Sequence, residues 1–147
     1  MPDVPKGQDA NEILMQLRYL QSLYSQQYEN LNNNIATYTM TNTALQRNLD
    51  LLEKSKSIEG SNIMISGEGG AYVPAKIEKV DKVMTYVGGD YLIETTVETA
   101  KEFLGENIRR GEEIIKKLVS DRQKIENDLF DIQYKLSALD SQMNAQK

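Results

Sequence analysis

SGEGGAYVPAKIEKVDKVMTYVGGDYLIETT, residues Ser66 to Thr96, interrupts a chain that on both sides is polar and helically patterned. Its glycines either cradle a phosphate or turn the backbone, and the two readings lead to different proteins. A Walker loop needs a lysine directly after its last glycine and a hydroxyl residue after that. Here Lys76 stands well beyond Gly70, between Ala75 and Ile77. A dinucleotide fingerprint opens a helix, whereas Gly67, Gly69 and Gly70 lead into Tyr72 and Val73, a strand-like run. The glycines are therefore turn residues. The β-branched and aromatic residues cluster in NIMIS, AYVPAKI, KVMTYV and YLIET, which predict four short strands in two hairpins. GGDY supplies the residues a tight turn with positive φ demands. Pro74 has no amide hydrogen, so it belongs on a strand edge or at a position that does not donate.

Outside this insert the period changes. From Asp9 to Lys56, apolar residues recur in steps of three and four at Ile13, Leu17, Leu20, Tyr24, Tyr28, Leu31, Ile35, Tyr38, Leu45, Leu49 and Leu52, with Asn42 in the vacant place. Asp9 with Glu12 has the form of a capping box, and Lys54, Lys56 and Gly60 that of a helix exit. Such a helix is about 70 Å long. A second seam, capped by Thr95 with Glu98, runs through Val97, Ala100, Leu104, Ile108, Ile115, Leu118, Ile125, Leu129, Ile132, Leu136, Leu139 and Met143, with Gly111 and Arg122 interrupting it. Each stripe is too narrow to sit inside a globular core, so the two helices zip against each other. The expected organisation is a disordered lead over 1–8, a first coiled-coil helix over 9–57, two hairpins over 58–95 and a second coiled-coil helix over 96–147. The fold class is mostly α with a small β part: an antiparallel two-helix coiled coil whose helices are joined by two β-hairpins that form an intersubunit β-barrel.

The chemistry the sequence excludes is as informative. The net charge of -5 and the pI near 4.8 oppose sequence-independent nucleic-acid binding. There is no histidine and no cysteine, so the commonest general base, the commonest metal ligand and every thiolate site are missing. Carboxylate pairs such as Glu112 with Glu113, or Asp121 with Glu126, read as a solvated helix face. No catalytic, cofactor-binding or metal residue is assigned, and the chain is expected not to be an enzyme. MPDVPKGQ carries no apolar signal region and no apolar run approaches the roughly 18 residues that span a bilayer. No membrane partner is expected, and the absence of cysteine suits a reducing compartment, so a cytoplasmic address is expected.

Two hairpins on a coiled coil bury little and leave strand edges unpaired. They are expected to be completed by other subunits through Ile63, Ile65, Tyr72, Val73, Ile77, Val83, Tyr86, Val87, Tyr91 and Ile93. Setting Leu52 opposite Val97 at the root puts Asn42 beside Asn107 and Ile13 opposite Leu136, leaving Leu139 and Met143 with no apolar counterpart. Ile13, Leu14, Met15, Leu17, Leu139 and Met143 at this tip are the expected contact surface for something hydrophobic. A scaffold or tether with one defined partner is the alternative.

YVPAKIEKVDKVMTYVGGDYLIETTVETAKEFL, Tyr72 to Leu104, read as hairpin, hairpin and capped helix, resembles the alpha-type subunits of the archaeal prefoldin family. The resemblance implies an ATP-independent chaperone, a holdase of two alpha and four beta subunits without cofactor. Its barrel platform would carry coiled coils that capture non-native proteins at their tips and deliver them to a group II chaperonin. Four strands favour alpha over beta, since the beta subunit has a single hairpin.

Overall fold

The computed structural model describes residues 8–146, and the remainder of the expected lead, residues 1–7, lies outside them. The elements in chain order are helix α1 (Gln8–Glu53), strands β1 (Asn62–Ser66), β2 (Tyr72–Lys76), β3 (Lys82–Gly88) and β4 (Tyr91–Thr96), and helix α2 (Val97–Ala145). They fall into two compact units, one made by the chain up to Thr39 with the chain from Glu113, the other by Met40–Glu112.

In the second unit, β1 pairs with β2 and β3 with β4, both antiparallel, as separate two-stranded sheets. The glycine run closes the first hairpin: Gly69 and Gly70 have φ of 81° and 87°, values that side chains resist. The second closes through Gly89 and Asp90, at φ 59° and 62°, the geometry of a type I′ turn, with a register shift between Tyr86 and Gly88. Strand β4 runs on to Thr96, so the cap of α2 is one residue later than the sequence suggests. Thr99 N–H donates to Thr96 Oγ1 at 3.2 Å, while Thr95 stays in the ladder opposite Val83. At the start of α1 a similar shift places Asp9 inside the first turn, where its charge meets the helix dipole instead of capping it.

Every seam position expected on α2, from Val97 to Met143, is buried or half-buried, with Ala100, Leu104, Ile132, Leu136 and Leu139 the most covered. On α1 the expected positions are half-buried except Tyr38, which is exposed within the uninterrupted exposed stretch from Ala36 to Thr41. There Thr37 and Thr39 donate their hydroxyls to the carbonyls of Asn33 and Ile35.

Two polar residues of α1 are built into the helix pairing, one in each unit. Arg122, an interruption of the α2 seam, donates Nη1–H to Asn32 Oδ1 at 2.9 Å. Asn42 lies over the buried Gly111 and donates Nδ2–H to the Ile108 carbonyl at 3.1 Å. The second lone pair of that carbonyl is available because the helix uses only one. A Cβ on Gly111 would come within 2.7 Å of Asn42 Cγ and overlap its Oδ1. The glycine is thus the hole into which Asn42 fits. Gly105, by contrast, has nothing within 4 Å of such a Cβ.

This contact corrects the expected register: Asn42 faces Gly111, one helical turn further along α2 than Asn107. It also gives a test. Gly111→Ala gains about 1 kcal/mol of helix propensity, yet overpacking costs about 1–3 kcal/mol, so the single substitution is expected to destabilise. In an Asn42→Ala background the same change is expected to stabilise. Urea unfolding of the four chains of this cycle, at one protein concentration, reads the sign reversal.

Candidate functional site

Two surfaces stand out, one in each unit. In the first unit, Met15 is 73% exposed and Tyr19, one turn on, is nearly as bare. With Glu12, Gln16 and Leu20 they line a shallow groove on α1. On α2, Phe130 at 72% and Tyr134, again one turn apart, project the same way from their own helix. Taking 100° per residue, both pairs point away from the seam that holds Leu17, Tyr24, Leu129 and Leu136. Large apolar side chains scattered singly on a surface are ordinary. Spaced one turn apart on the outer face of each helix, these make patches.

The predicted tip residues fare differently from one another. Met15 is exposed, Ile13, Leu14, Leu17 and Met143 are half-buried, and Leu139 is buried at 4%. Leu139 and Met143 are therefore not left bare. Counted from the Asn32 and Arg122 pair toward the chain ends, Leu17 falls within one residue of level with Leu136, and Leu14 within one residue of level with Leu139. Leu139→Ala should accordingly cost about 2–5 kcal/mol, as for a core leucine, where a bare leucine would cost almost nothing. Urea midpoints of the two proteins decide it. Tyr19, Phe130 and Tyr134 lie outside the tip that the seam arithmetic predicts. Their signal in the sequence is a large apolar residue one turn from another, off the seam, where a solvated helix has Gln, Lys or Glu.

In the second unit the hairpins carry the larger apolar surface. Of the residues expected to meet other subunits, Ile63, Ile65, Tyr72, Val73, Tyr86, Val87, Tyr91 and Ile93 are exposed, while Ile77 and Val83 are half-buried. Met64, Met84 and Leu92 are exposed as well. In β1 and β2 both faces are open, with only Ala75 half-covered. Part of the β3–β4 pair lies against the helix ends: Val83, Thr85, Tyr86 and Leu92 line a groove with Leu45, Leu52, Ala100 and Leu104. Charge decorates this surface lightly. Lys82 pairs with Glu94 at 3.9 Å across the strands, an exposed bridge of the kind worth about 0–1 kcal/mol.

Among the described residues there is no cluster of three groups able to hold a metal ion, and no helix long and apolar enough to cross a membrane. What the geometry offers is contact area, in two places, on elements held by a helix seam.

The sequence profile described as "Prefoldin subunit" matches residues 24–142, which take in all four strands and most of both helices. The chain belongs to the prefoldin family. Among its relatives, Prefoldin subunit 5 of Homo sapiens is 33% identical over 96 residues, a match covering 65% of this chain and 62% of that protein, so less than two thirds of the relative is spanned. Prefoldin subunit alpha of Methanococcus aeolicus is 27% identical over 137 residues, covering 90% of this chain and 94% of the relative. Prefoldin architecture is matched too: a subunit of the filamentous prefoldin of Methanocaldococcus jannaschii superposes with a TM-score of 0.53 at 27% identity, covering 85% of this chain and 98% of that one. Two long helices with two small antiparallel hairpins between them are thus a prefoldin fold. Phe130 and Tyr134 lie inside the matched prefoldin region, and Met15 and Tyr19 precede it.

Proposed function

We propose that this chain is an alpha-type subunit of a prefoldin holdase, whose hairpins complete a β-barrel platform with neighbouring subunits and whose helix pair presents apolar side chains to non-native proteins. The client would pass to a group II chaperonin without nucleotide hydrolysis, and the work is non-covalent, as expected of a chaperone and not of an enzyme. The observation that carries this reading is the outward placement of Met15, Tyr19, Phe130 and Tyr134 on helices that have already satisfied their seam. Each such side chain gains about 1.5–3 kcal/mol when fully buried against a client. A single arm therefore binds weakly. Several arms on one platform raise the effective concentration of the second and later contacts, so a complex holds a client that one subunit releases.

Residues 58–95 act as the platform and the two helices as the arm in this reading, with beta-type prefoldin subunits as the partners. Support comes from the open faces of β1 and β2, which a lone chain leaves in water, and from relatives that are themselves prefoldin subunits. The test is aggregation of a chemically unfolded protein, followed by light scattering, with the complex of this chain and a beta-type partner present in excess. Suppression that is unchanged by ATP supports the holdase. A complex that stays folded and assembled yet leaves aggregation untouched would favour a scaffold or tether with one defined partner.

A further inference from the structure

The outward side chains of α2 stand in a row that begins with a carboxylate. Glu126, Phe130 and Tyr134 are spaced by four residues, and all three are exposed. Residues four apart lie one above the next on a helix face, so Glu126 extends the apolar pair by one turn toward the start of α2. α1 repeats the arrangement, with Glu12 lining the same shallow groove as Met15 and Tyr19.

The charge along the α2 row is of one sign. Among the described residues, Glu126 has no ion-pair partner, whereas the cations near it are engaged or turned aside. Lys124 is held by Asp121 at 3.6 Å, and Arg122 is turned into the helix pairing on Asn32. Lys135 stands one turn beyond Asp131, about 100° round the helix from Tyr134.

A partner that covers Phe130 and Tyr134 also takes water from Glu126. If that partner is neutral or acidic, the carboxylate is left uncompensated, which is the unfavourable case. A lysine or arginine on the partner meets it instead, and the ring faces of Phe130 and Tyr134 attract the same cation. One row thus combines apolar contact with a place for a positive charge, and it penalises a partner that lacks the charge.

Resting on the holdase reading above, we infer that the outer face of α2 selects, among non-native segments, those that carry a lysine or arginine within a few residues of large apolar side chains. The occupant is a cationic amphipathic stretch of client, not any apolar stretch. On α1 the preference is weaker, because Arg18 flanks Met15 on the side away from Glu12.

The test uses the complex of this chain with a beta-type prefoldin partner and three fluorescent peptides. They share one set of leucines and phenylalanines and differ only in carrying lysine, glutamine or glutamate between them. Anisotropy at low salt is expected to show the lysine peptide bound about tenfold more tightly than the glutamate peptide, from one exposed ion pair and one cation–π contact. Most of that ratio should vanish in about 1 M salt, where charges are screened beyond about 3 Å. Glu126→Gln should weaken the lysine peptide by about threefold and strengthen the glutamate peptide. A substitution that only loosened the arm would weaken all three together. The partner's arms are the same in both complexes, so the difference between them belongs to this chain. Equal binding of the lysine and glutamate peptides, or a wild-type ratio in Glu126→Gln, overturns the charge selection and leaves the holdase reading standing. If none of the three peptides binds the folded complex, the holdase reading falls and this inference falls with it.

Discussion

Replacing Met15, Tyr19, Phe130 and Tyr134 together by serine is expected to abolish protection of an aggregating client while leaving the complex assembled. These side chains take no part in the seam and are all strongly exposed, and surface substitutions of that kind usually shift stability by no more than about 0.5 kcal/mol each. Their loss from binding is far larger. If each gives up even half of the roughly 2 kcal/mol available on full burial, four contacts on one arm amount to about 4 kcal/mol, close to a thousandfold in affinity for that arm. Light scattering measures protection, and sedimentation of the same samples measures assembly. Loss of protection with unchanged sedimentation is the expected pair of results. Full protection by the quadruple variant would place client contact elsewhere, with the half-buried Ile13, Leu14 and Leu17 the next candidates.

The second large effect is expected at the platform. Ile65 and Val73 are directly opposite each other on one face of the first hairpin, and both are exposed. Ile65→Glu with Val73→Lys exchanges an apolar pair for an opposite-charge pair, which supports the same cross-strand register by about 0.2–1 kcal/mol. The hairpin is thereby retained while its face becomes polar. Such a face cannot be buried in a barrel without desolvating both charges, at several kcal/mol per ion. The expected outcome is failure to join a complex, read as a fall in native mass to that of the single chain. Circular dichroism should show the helices intact, since α1 and α2 make their own seam. Assembly at wild-type concentration would show that this face is not shared.

Much of this was legible in the sequence because amphipathic period is a strong signal over helices of 46 and 49 residues. The α2 stripe could be read residue by residue from Val97 to Met143, and four strand-like runs bounded by glycine gave the hairpins. Register was not legible in the same way. A heptad stripe slid by one turn still meets a heptad stripe, so Asn42 opposite Asn107 was as plausible as Asn42 opposite Gly111. What marks the register in the second unit is a size match, Asn42 over Gly111, and each of those residues taken alone reads as an interruption of its own seam. In the first unit the Asn32 and Arg122 pair marks it, and Leu139, which the expected register left uncovered, is buried. The outward aromatics are hard to read for a related reason: a heptad stripe says nothing of residues off it, and only its exposure distinguishes Phe130 from its seam neighbour Leu129. The shift of the α2 cap from Thr95 to Thr96 reflects competition between two uses of adjacent threonines, one in the β4 ladder and one at the helix start, which local propensity does not resolve.

The placement of Pro74 shows the converse. Its chemistry predicts a position that does not donate, and with Gly67 N–H bonded to the Ala71 carbonyl the register puts Pro74 opposite Met64, at a pair that exchanges no hydrogen bonds.

Native mass of the complex formed when this chain is mixed with a beta-type prefoldin subunit tests most directly whether the hairpins are shared between chains. Two copies of this chain with four of the partner, reduced to separate chains by Ile65→Glu with Val73→Lys, is the predicted result. A chain that remains monomeric beside its partner at micromolar concentration, with β1 and β2 amides already protected from exchange, would contradict it.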